Sequence, residues 1–279
     1  MSAARRRLLV LGASSGIGAG CARVFAAHGY DIYGVHLDRR PALPRVGALQ
    51  AELEGFGARV RLFNRNAADT EQRQEVIAAL SEDLAPQGAG IDVLLHSLAF
   101  GSLGEFVPAD DARPVQERQL VMTMEVMASS LAWWARDLVQ AGLLGSTPAV
   151  PRPISGATGA GGARVFALTS AGTHRVWPGY GPVSAAKAAL DSLVRQLAVE
   201  LMPRGVTVNA IMPGVTRTPA LAVIPGHERM LARAEEGNPG GRLTTPEDVG
   251  HALLALSAPG TAWMTGNCIR VDGGEDLLA

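Results

Sequence analysis

Tyr180 and Lys187 are the two side chains in this sequence whose types and spacing point most directly to chemistry. They lie seven residues apart, which is about two turns of an α-helix and places both on one helical face. A tyrosine hydroxyl beside a buried ammonium can hold or deliver a proton at a reacting oxygen. Because alanine and leucine residues flank Lys187, we expect the ammonium to be buried. The pair therefore predicts a site that handles protons.

A glycine-rich turn is the second motif that could take part in chemistry. It is the run Gly12-Ala13-Ser14-Ser15-Gly16-Ile17-Gly18, which follows a short apolar stretch and opens a helical pattern. Glycines let a pyrophosphate approach the backbone, and a helix N-terminus offers free N–H groups and a positive dipole end. The two serines add hydroxyl donors. The spacing differs from the commonest dinucleotide fingerprint, so a flexible turn is the alternative to a nucleotide site.

The elements that must position these motifs alternate regularly along the chain. The predicted strands are residues 8–11, 31–37, 59–63, 92–95, 164–168, 206–211 and 267–271. The predicted helices are residues 16–28, 44–54, 71–84, 115–141, 184–202 and 246–256. Such alternation predicts βαβ units, and hence an α/β fold with a doubly wound parallel sheet flanked by helices on both faces.

Two segments interrupt this alternation within what we predict to be one domain, residues 1–279. Residues 144–163 are rich in Gly, Pro, Ser and Ala, which predicts a surface loop; a tolerated insertion is favoured over a binding role. Residues 219–242 mix apolar and charged side chains. That pattern suits a short helical lid over a substrate pocket, and an ordinary pair of surface helices suits it equally.

The bulk composition excludes several classes of function. The 279 residues, 47% hydrophobic and 18% charged, can form one large α/β domain. A net charge of -1 argues against nucleic acid or an anionic membrane as partner. No stretch is long enough to span a membrane, and the basic start followed by residues 8–11 suits a strand better than a secretory signal. We therefore expect a cytoplasmic protein, with Cys21 and Cys268 as buried free thiols and no metal site.

Together these motifs resemble those of the short-chain dehydrogenase/reductase superfamily. The resemblance rests on the glycine turn, on Tyr180 with Lys187, on the run Asn209-Ala210-Ile211-Met212-Pro213-Gly214 and on Val271-Asp272-Gly273-Gly274, which occur in the order usual for the family. It implies a Rossmann-type sheet of about seven strands, a nicotinamide cofactor and a homotetramer, with a dimer as the alternative.

The resemblance also implies the residues that contact the cofactor. Asn66 and Ala67 would border the adenine, with Asn66 standing where an aspartate is usual. Lys187 would hold the hydroxyls of the nicotinamide ribose, and Gly214 and Thr218 would line the nicotinamide and the pyrophosphate. The full set is Gly12, Ser14, Ser15, Gly16, Ile17, Gly18, His36, Arg39, Asn66, Ala67, Ser97, Lys187, Gly214 and Thr218.

The end of the second predicted strand bears on the choice between NADPH and NADH. An acidic residue there would bind the adenine ribose diol and repel a 2′-phosphate, but the deciding position lies near His36. Asp38 follows, and then Arg39 and Arg40. Asp38 suits the diol, whereas an arginine pair suits a phosphate. We predict NADPH, with NADH as the alternative and a solvated turn as the simplest reading of all three residues.

Three departures from the ordinary family pattern bear on the reaction. Ordinary members carry the tyrosine four residues before the lysine, where this chain has Val183, and they carry an asparagine in a helix corresponding to residues 115–141, where this chain has none. The run His96-Ser97-Leu98-Ala99 and the Tyr180 to Lys187 spacing are instead similar to enoyl-thioester reductases. With an ordinary glycine turn, this combination resembles the divergent FabL-type enoyl-acyl carrier protein reductases.

That resemblance implies hydride transfer to an α,β-unsaturated thioester carried by acyl carrier protein or coenzyme A. Tyr180 would stabilise the enolate oxygen. Ser170, which ends the fifth predicted strand, would donate to the same oxygen or order a water; a simple backbone cap is the alternative. Two other functions stay open: a carbonyl or 3-ketoacyl reductase that uses Tyr180 in a shifted pose, and a catalytically silent protein that senses NADP(H).

Overall fold

The computed structural model describes residues 5–109, 113–145 and 162–278. Most of the loop predicted over 144–163 lies outside these ranges. The strands are β1 Arg6–Leu11, β2 Tyr30–His36, β3 Val60–Asn64, β4 Val93–His96, β5 Arg164–Leu168, β6 Thr207–Pro213 and β7 Cys268–Val271. The helices are α1 Gly16–Ala27, α2 Leu43–Gly55, α3 Thr70–Leu84, α4 Glu117–Met124, α5 Ser130–Gln140, α6 Gly181–Leu201, α7 Pro219–Ala222, α8 His227–Gly237 and α9 Pro246–Leu256. None of the helices described is long and apolar enough to cross a membrane.

The seven strands form one parallel sheet in the order β3-β2-β1-β4-β5-β6-β7. This arrangement confirms the predicted Rossmann-type fold. The strand order reverses between β1 and β4, so the connections that leave their carboxyl ends run to opposite faces of the sheet. Ligands of open α/β sheets bind in the crevice that forms at such a point.

Two hydrophobic clusters cover the two faces of the sheet. On one face, Leu94 and Ala167 pack with Trp134 of α5 and Leu190 of α6. On the other face, side chains of the same strands pack with α1, α2 and α9. Successive strand residues alternate between the clusters, as the period of two requires. This alternation decides which residues at the strand ends share a face with α6.

The helical stretch predicted over 115–141 is interrupted. A single π-helical turn, Glu125–Ser129, separates α4 from α5. The Ser130 hydroxyl follows it, donating to the Val126 carbonyl oxygen and pairing with His96 Nε2 at 2.8 Å. Such turns have no clear sequence signal, because they insert one residue into an otherwise regular helix.

Two further expectations need correction. Helix α6 begins at Gly181 rather than at residue 184. Pro182 is tolerated in the first helical turn because the N–H groups of that turn have no partner within the helix. Cys268 is exposed, not buried, because it lies on the edge strand β7, whereas Cys21 is buried as predicted. Both are free thiols, as expected.

Candidate active site

Ser170 and Tyr180 come together at the carboxyl end of β5. Tyr180 is the residue that precedes α6, and Ser170 follows β5 and accepts a hydrogen bond from Gly172 N at 3.2 Å. A Cβ on Gly172 would lie 2.7 Å from the Tyr180 ring, so the ring packs directly on this turn. Burial raises the pKa of Tyr180, and hydrogen bonding with Ser170 opposes that rise. The phenol is therefore held as a neutral donor beside a second hydroxyl.

Lys187 is buried, with 5% of its surface exposed. Its ammonium donates to the carbonyl oxygens of Leu168 at 2.6 Å and of Leu98 at 3.4 Å. Burial lowers the pKa of Lys187 to about 8, and the negative charge of Asp191 opposes that change. An ammonium has three N–H donors, so two are engaged by the ends of β4 and β5 and one is left for a ligand.

Val183, at the position where ordinary family members have their tyrosine, is buried. It packs with Met127 and Ala186 in a small cluster that Tyr180 borders. A Cβ on Gly101 would lie 2.8 Å from Met127 Sδ and 3.3 Å from a Val183 methyl, so the cluster is closely packed. The position of the usual tyrosine is therefore part of an apolar wall.

An apolar cavity of about 530 Å³ joins the predicted site residues to the helices of residues 219–242. Its walls include Ser170, Tyr180 and Val183, together with residues on both sides of the crevice. Helices α7 and α8 both contribute to it, so the two helices in this segment border the site whether or not they move. The lining includes Ile17, Ser170, Tyr180, Val183, Gly214, Thr218, Leu221 and Met230.

The glycine turn has the geometry of a phosphate cradle. Gly12 and Gly16 have φ values of +91° and +53°, which suit glycine. A Cβ built on Gly12 would lie 2.5 Å from Ser97 O, and one built on Gly18 would lie 2.1 Å from Gly12 O. Side chains are thus excluded at the N-terminus of α1, and the Ser15 side chain, which precedes the helix, makes no capping bond. These residues fit the pyrophosphate of a dinucleotide.

The turn after β6 reaches across the crevice to the glycine turn. Gly214 N donates to Val271 O at 3.1 Å, and a Cβ on Gly214 would lie 2.5 Å from Thr244 Oγ1. Thr218 caps α7 by accepting from Leu221 N. The methyl group of Thr218 lies 3.2 Å from a Cβ built on Gly16. Thr218, predicted to line the nicotinamide and the pyrophosphate, is therefore a neighbour of the glycine turn.

The residues after β2 form a small charged cluster. His36 is buried, and its Nδ1 lies 3.0 Å from an Asp38 oxygen, while Arg45 approaches the other oxygen at 3.3 Å. Only 12% of the Asp38 side chain is exposed. The Arg39 guanidinium, in contrast, is exposed and makes no ion pair with any residue in the described ranges. The Asp38 carboxylate is thus engaged by His36 and Arg45, whereas the Arg39 guanidinium can contact a ligand.

The segment after β3 is held in place by hydrogen bonds between its backbone and nearby side chains. Asn66 Oδ1 accepts from Ala68 N at 3.0 Å, Asn66 N donates to Gln72 Oε1, and the Ala67 carbonyl accepts from Trp134 Nε1 at 2.8 Å. The Asn66 amide nitrogen is not used in these bonds. The amide oxygen is fixed by the turn, and the geometry is compatible with the predicted contact to adenine.

Three acidic or hydroxyl residues near the site were not singled out from the sequence. Glu275 accepts from Val215 N with both carboxylate oxygens at 3.1 Å, and burial raises its pKa. Thr169 lies between β5 and Ser170, and Asp191 lies four residues after Lys187 on α6. The spacing of Asp191 was a usable signal, because residues four apart share a helical face. For Glu275 no such signal exists in the sequence, apart from its position after Gly273 and Gly274.

Known proteins match this chain along most of its length. Residues 12–275 match the family model described as Enoyl-(Acyl carrier protein) reductase. The chain is 30% identical to oxidoreductase UcpA of Escherichia coli strain K12 over 277 residues, which covers 96% of this chain and 94% of that protein. It is 37% identical to the enoyl-[acyl-carrier-protein] reductase [NADH] FabI of the same strain over 118 residues, 42% of this chain and 45% of that protein.

Among solved structures, a 3-oxoacyl-[acyl-carrier protein] reductase from Brucella melitensis in complex with NAD has the same fold. The TM-score is 0.78 at 25% identity, with 99% of each chain covered. The two reductase names differ in the bond that is reduced, and UcpA is named only as an oxidoreductase. From the match over residues 12–275, the sheet order and the glycine turn, we conclude that the chain belongs to the short-chain dehydrogenase/reductase superfamily and is an NAD(P)-dependent oxidoreductase.

Proposed function

We propose that this protein is an NADPH-dependent enoyl-thioester reductase. The observation that carries the proposal is the placement of the phenol. Tyr180 lines the cavity beside Ser170, while the position four residues before Lys187 is a buried valine. The family match described as Enoyl-(Acyl carrier protein) reductase supports the same reaction.

The residues of the site suit the charge that develops in such a reduction. A bound NADPH supplies hydride to the β-carbon of the unsaturated thioester. Tyr180 then donates a hydrogen bond to the thioester oxygen on which negative charge collects, and Ser170 donates to the same oxygen or steadies the phenol. Lys187 uses its remaining N–H to hold the nicotinamide ribose hydroxyls. The neutral phenol stabilises the enolate through this hydrogen bond, and a proton from solvent then completes the reduction at the α-carbon.

The cluster after β2 supports NADPH over NADH. A 2′-phosphate needs a free cation and no free carboxylate nearby. Asp38 is engaged by His36 and Arg45, whereas Arg39 is exposed and without an ionic partner in the described residues. NADH remains the alternative, since the Brucella melitensis relative is in complex with NAD.

The apolar cavity supports an acyl thioester, on acyl carrier protein or coenzyme A, as substrate, and α7 with α8 is proposed to close over it. We also propose a homotetramer or dimer in the cytoplasm. Trp133 on α5 and Val199 on α6 are 44% and 73% exposed, which leaves apolar surface on the two long helices for a second copy.

A carbonyl or 3-ketoacyl-thioester reductase is the second candidate. The glycine turn has the spacing of ordinary family members, and the Brucella melitensis relative is named as a 3-oxoacyl reductase. A silent NADP(H)-sensing protein is the candidate of another class. The preserved Tyr180 and Lys187 count against it, because a sensor has no need of a proton donor at the cavity.

One assay separates the three candidates. The purified protein is given NADPH with a crotonyl thioester and, separately, with an acetoacetyl thioester, and oxidation of the cofactor is followed by absorbance. We expect consumption with the crotonyl substrate. Consumption with the acetoacetyl substrate alone would show a ketoacyl reductase, and NADPH binding without turnover of either would favour the sensor.

A further inference from the structure

Three buried polar atoms without a hydrogen-bonding partner belong to residues on the strand ends and the helix that bury Lys187. They are His96 Nδ1, Thr169 Oγ1 and Asp191 Oδ1, half of the six unpartnered side-chain atoms found among the described residues. Buried polar groups are nearly always paired, so three exceptions in this region call for an explanation. The four residues come from β4, the end of β5 and α6.

The register of the sheet explains why these residues meet. His96 is paired with Ala167, and the alternation along β5 brings Thr169 to the same face, the one covered by α6. Lys187 reaches this face from α6 and donates to the carbonyl oxygen of Leu168, the residue between Ala167 and Thr169. Asp191 stands one helical turn further along α6.

Of these groups, Asp191 is the one that can hold a negative charge near the ammonium. His96 is uncharged, because burial first and the neighbouring Lys187 second lower its pKa to about 3. The charged or titratable neighbours of Asp191 are Lys187 and Arg195 on its own helix, His174 from the turn after β5 and Cys268 from β7. Burial raises the pKa of Asp191, and the Thr169 hydroxyl is the strongest influence that favours its ionised form.

The number of donors on Lys187 makes its charge matter for binding. Two N–H groups are engaged by the Leu98 and Leu168 carbonyl oxygens. A neutral amine has only two N–H groups, whereas the ammonium has a third. Loss of the proton would therefore remove the donor left for the cofactor, at a pH near the pKa of about 8.

We propose that Asp191 is a positioning residue that keeps Lys187 in its ammonium form and so preserves the third N–H for the cofactor ribose. Asp191 lines neither the cavity nor the crevice and acts through Lys187. The inference rests on the ribose-binding role proposed for Lys187. It does not depend on which substrate bond is reduced.

The test is the pH dependence of NADPH binding to the free enzyme, followed by cofactor fluorescence between about pH 6 and about pH 9. For the unaltered protein, binding should weaken on the order of tenfold as pH rises through about 8. Asp191→Asn should lose affinity at a distinctly lower pH, and Asp191→Glu should restore the original midpoint. Glu200→Gln, which neutralises an exposed carboxylate on the same helix, should leave the midpoint unchanged.

Two outcomes would overturn the inference. One is a midpoint for Asp191→Asn equal to that of the unaltered protein. The other is a Lys187→Met variant with unchanged affinity and pH dependence, which would also remove the role proposed for Lys187. If Asp191→Asn does not fold, Thr169→Val replaces it, with a smaller shift in the same direction expected and an unchanged midpoint contradicting the proposal. A failure to reduce crotonyl thioester leaves this measurement unaffected.

Discussion

Ser170 and Tyr180 meet across Gly172, so that the hydroxyl in the turn after β5 and the phenol preceding α6 border one cavity. The contact depends on a turn so tight that the Tyr180 ring occupies the space of a Gly172 side chain. The Ser184 hydroxyl, in the first turns of α6, donates to the Gly172 carbonyl and fixes the turn from the other side. The site is thus built where a strand end and a helix start are joined.

Removing the phenol hydroxyl should affect turnover and not cofactor binding. For Tyr180→Phe we expect kcat with the preferred thioester to fall on the order of 10²–10³-fold, because an oxyanion donor is lost. The dissociation constant for NADPH should stay near that of the unaltered protein. Steady-state kinetics and fluorescence titration measure the two quantities. A variant with full activity would show that Tyr180 is not the donor.

A methyl group at residue 172 should displace the phenol. Its Cβ would lie 2.7 Å from the Tyr180 ring, and a misplacement of about 1 Å can cost on the order of 10²-fold in rate. We expect Gly172→Ala to fold normally and to lose most of its kcat. Gly47→Ala is the matched control, since nothing lies within 4 Å of its Cβ on α2. Equal activities of the two variants would contradict the packing argument.

Selectivity between cofactors should depend on Arg39. We expect Arg39→Ala to raise the KM for NADPH on the order of ten- to a hundredfold, because a charge-assisted contact to the 2′-phosphate is lost. The KM for NADH should change little. Arg23→Ala is a suitable control, because Arg23 makes an exposed ion pair with Glu52 on the outside of α1. Parallel losses for both cofactors would argue against a phosphate contact.

The buried ion pair between α3 and α5 should matter for stability. Arg73 and Asp137 are 2.8 Å apart, and each side chain is 2% exposed. Asp137→Ala leaves a buried guanidinium without its partner, which typically costs about 3–5 kcal/mol. Glu52→Ala, at the exposed pair with Arg23, should cost under about 1 kcal/mol. Urea unfolding, monitored by circular dichroism, gives the free energy of unfolding of both variants. Similar losses of stability would mean that burial of the ion pair does not matter.

The same pair has a defined pH dependence. Burial raises the pKa of Asp137, but hydrogen bonds from Arg136 and Arg73 outweigh that effect and leave the pKa below its ordinary value. A carboxyl group with a depressed pKa contributes stability above its unfolded-state pKa and loses that contribution as pH falls through the folded-state value. Urea midpoints measured from about pH 6 down to about pH 3 should therefore fall less steeply for Asp137→Asn than for the unaltered protein.

Local patterns were sufficient to predict most of the fold. All seven strands occur where apolar runs predicted them, and the glycine turn precedes α1. Patterns failed where the outcome depended on something outside the segment. The π turn precedes Ser130, whose hydroxyl pairs with His96 of a distant strand, and the exposure of Cys268 depends on the place of β7 at the edge of the sheet.

The sequence by itself determined the order of elements, the superfamily and the residue types of the site, because periodicity, turn glycines and the Tyr180 to Lys187 spacing act over short distances along the chain. Only the tertiary structure decided which groups meet. The Asp38 carboxylate is covered by His36 and Arg45. His96 and Thr169 share the sheet face that α6 covers because β4 and β5 align in register. Contacts between residues far apart in sequence follow from strand order and burial, and neither can be read from any single segment.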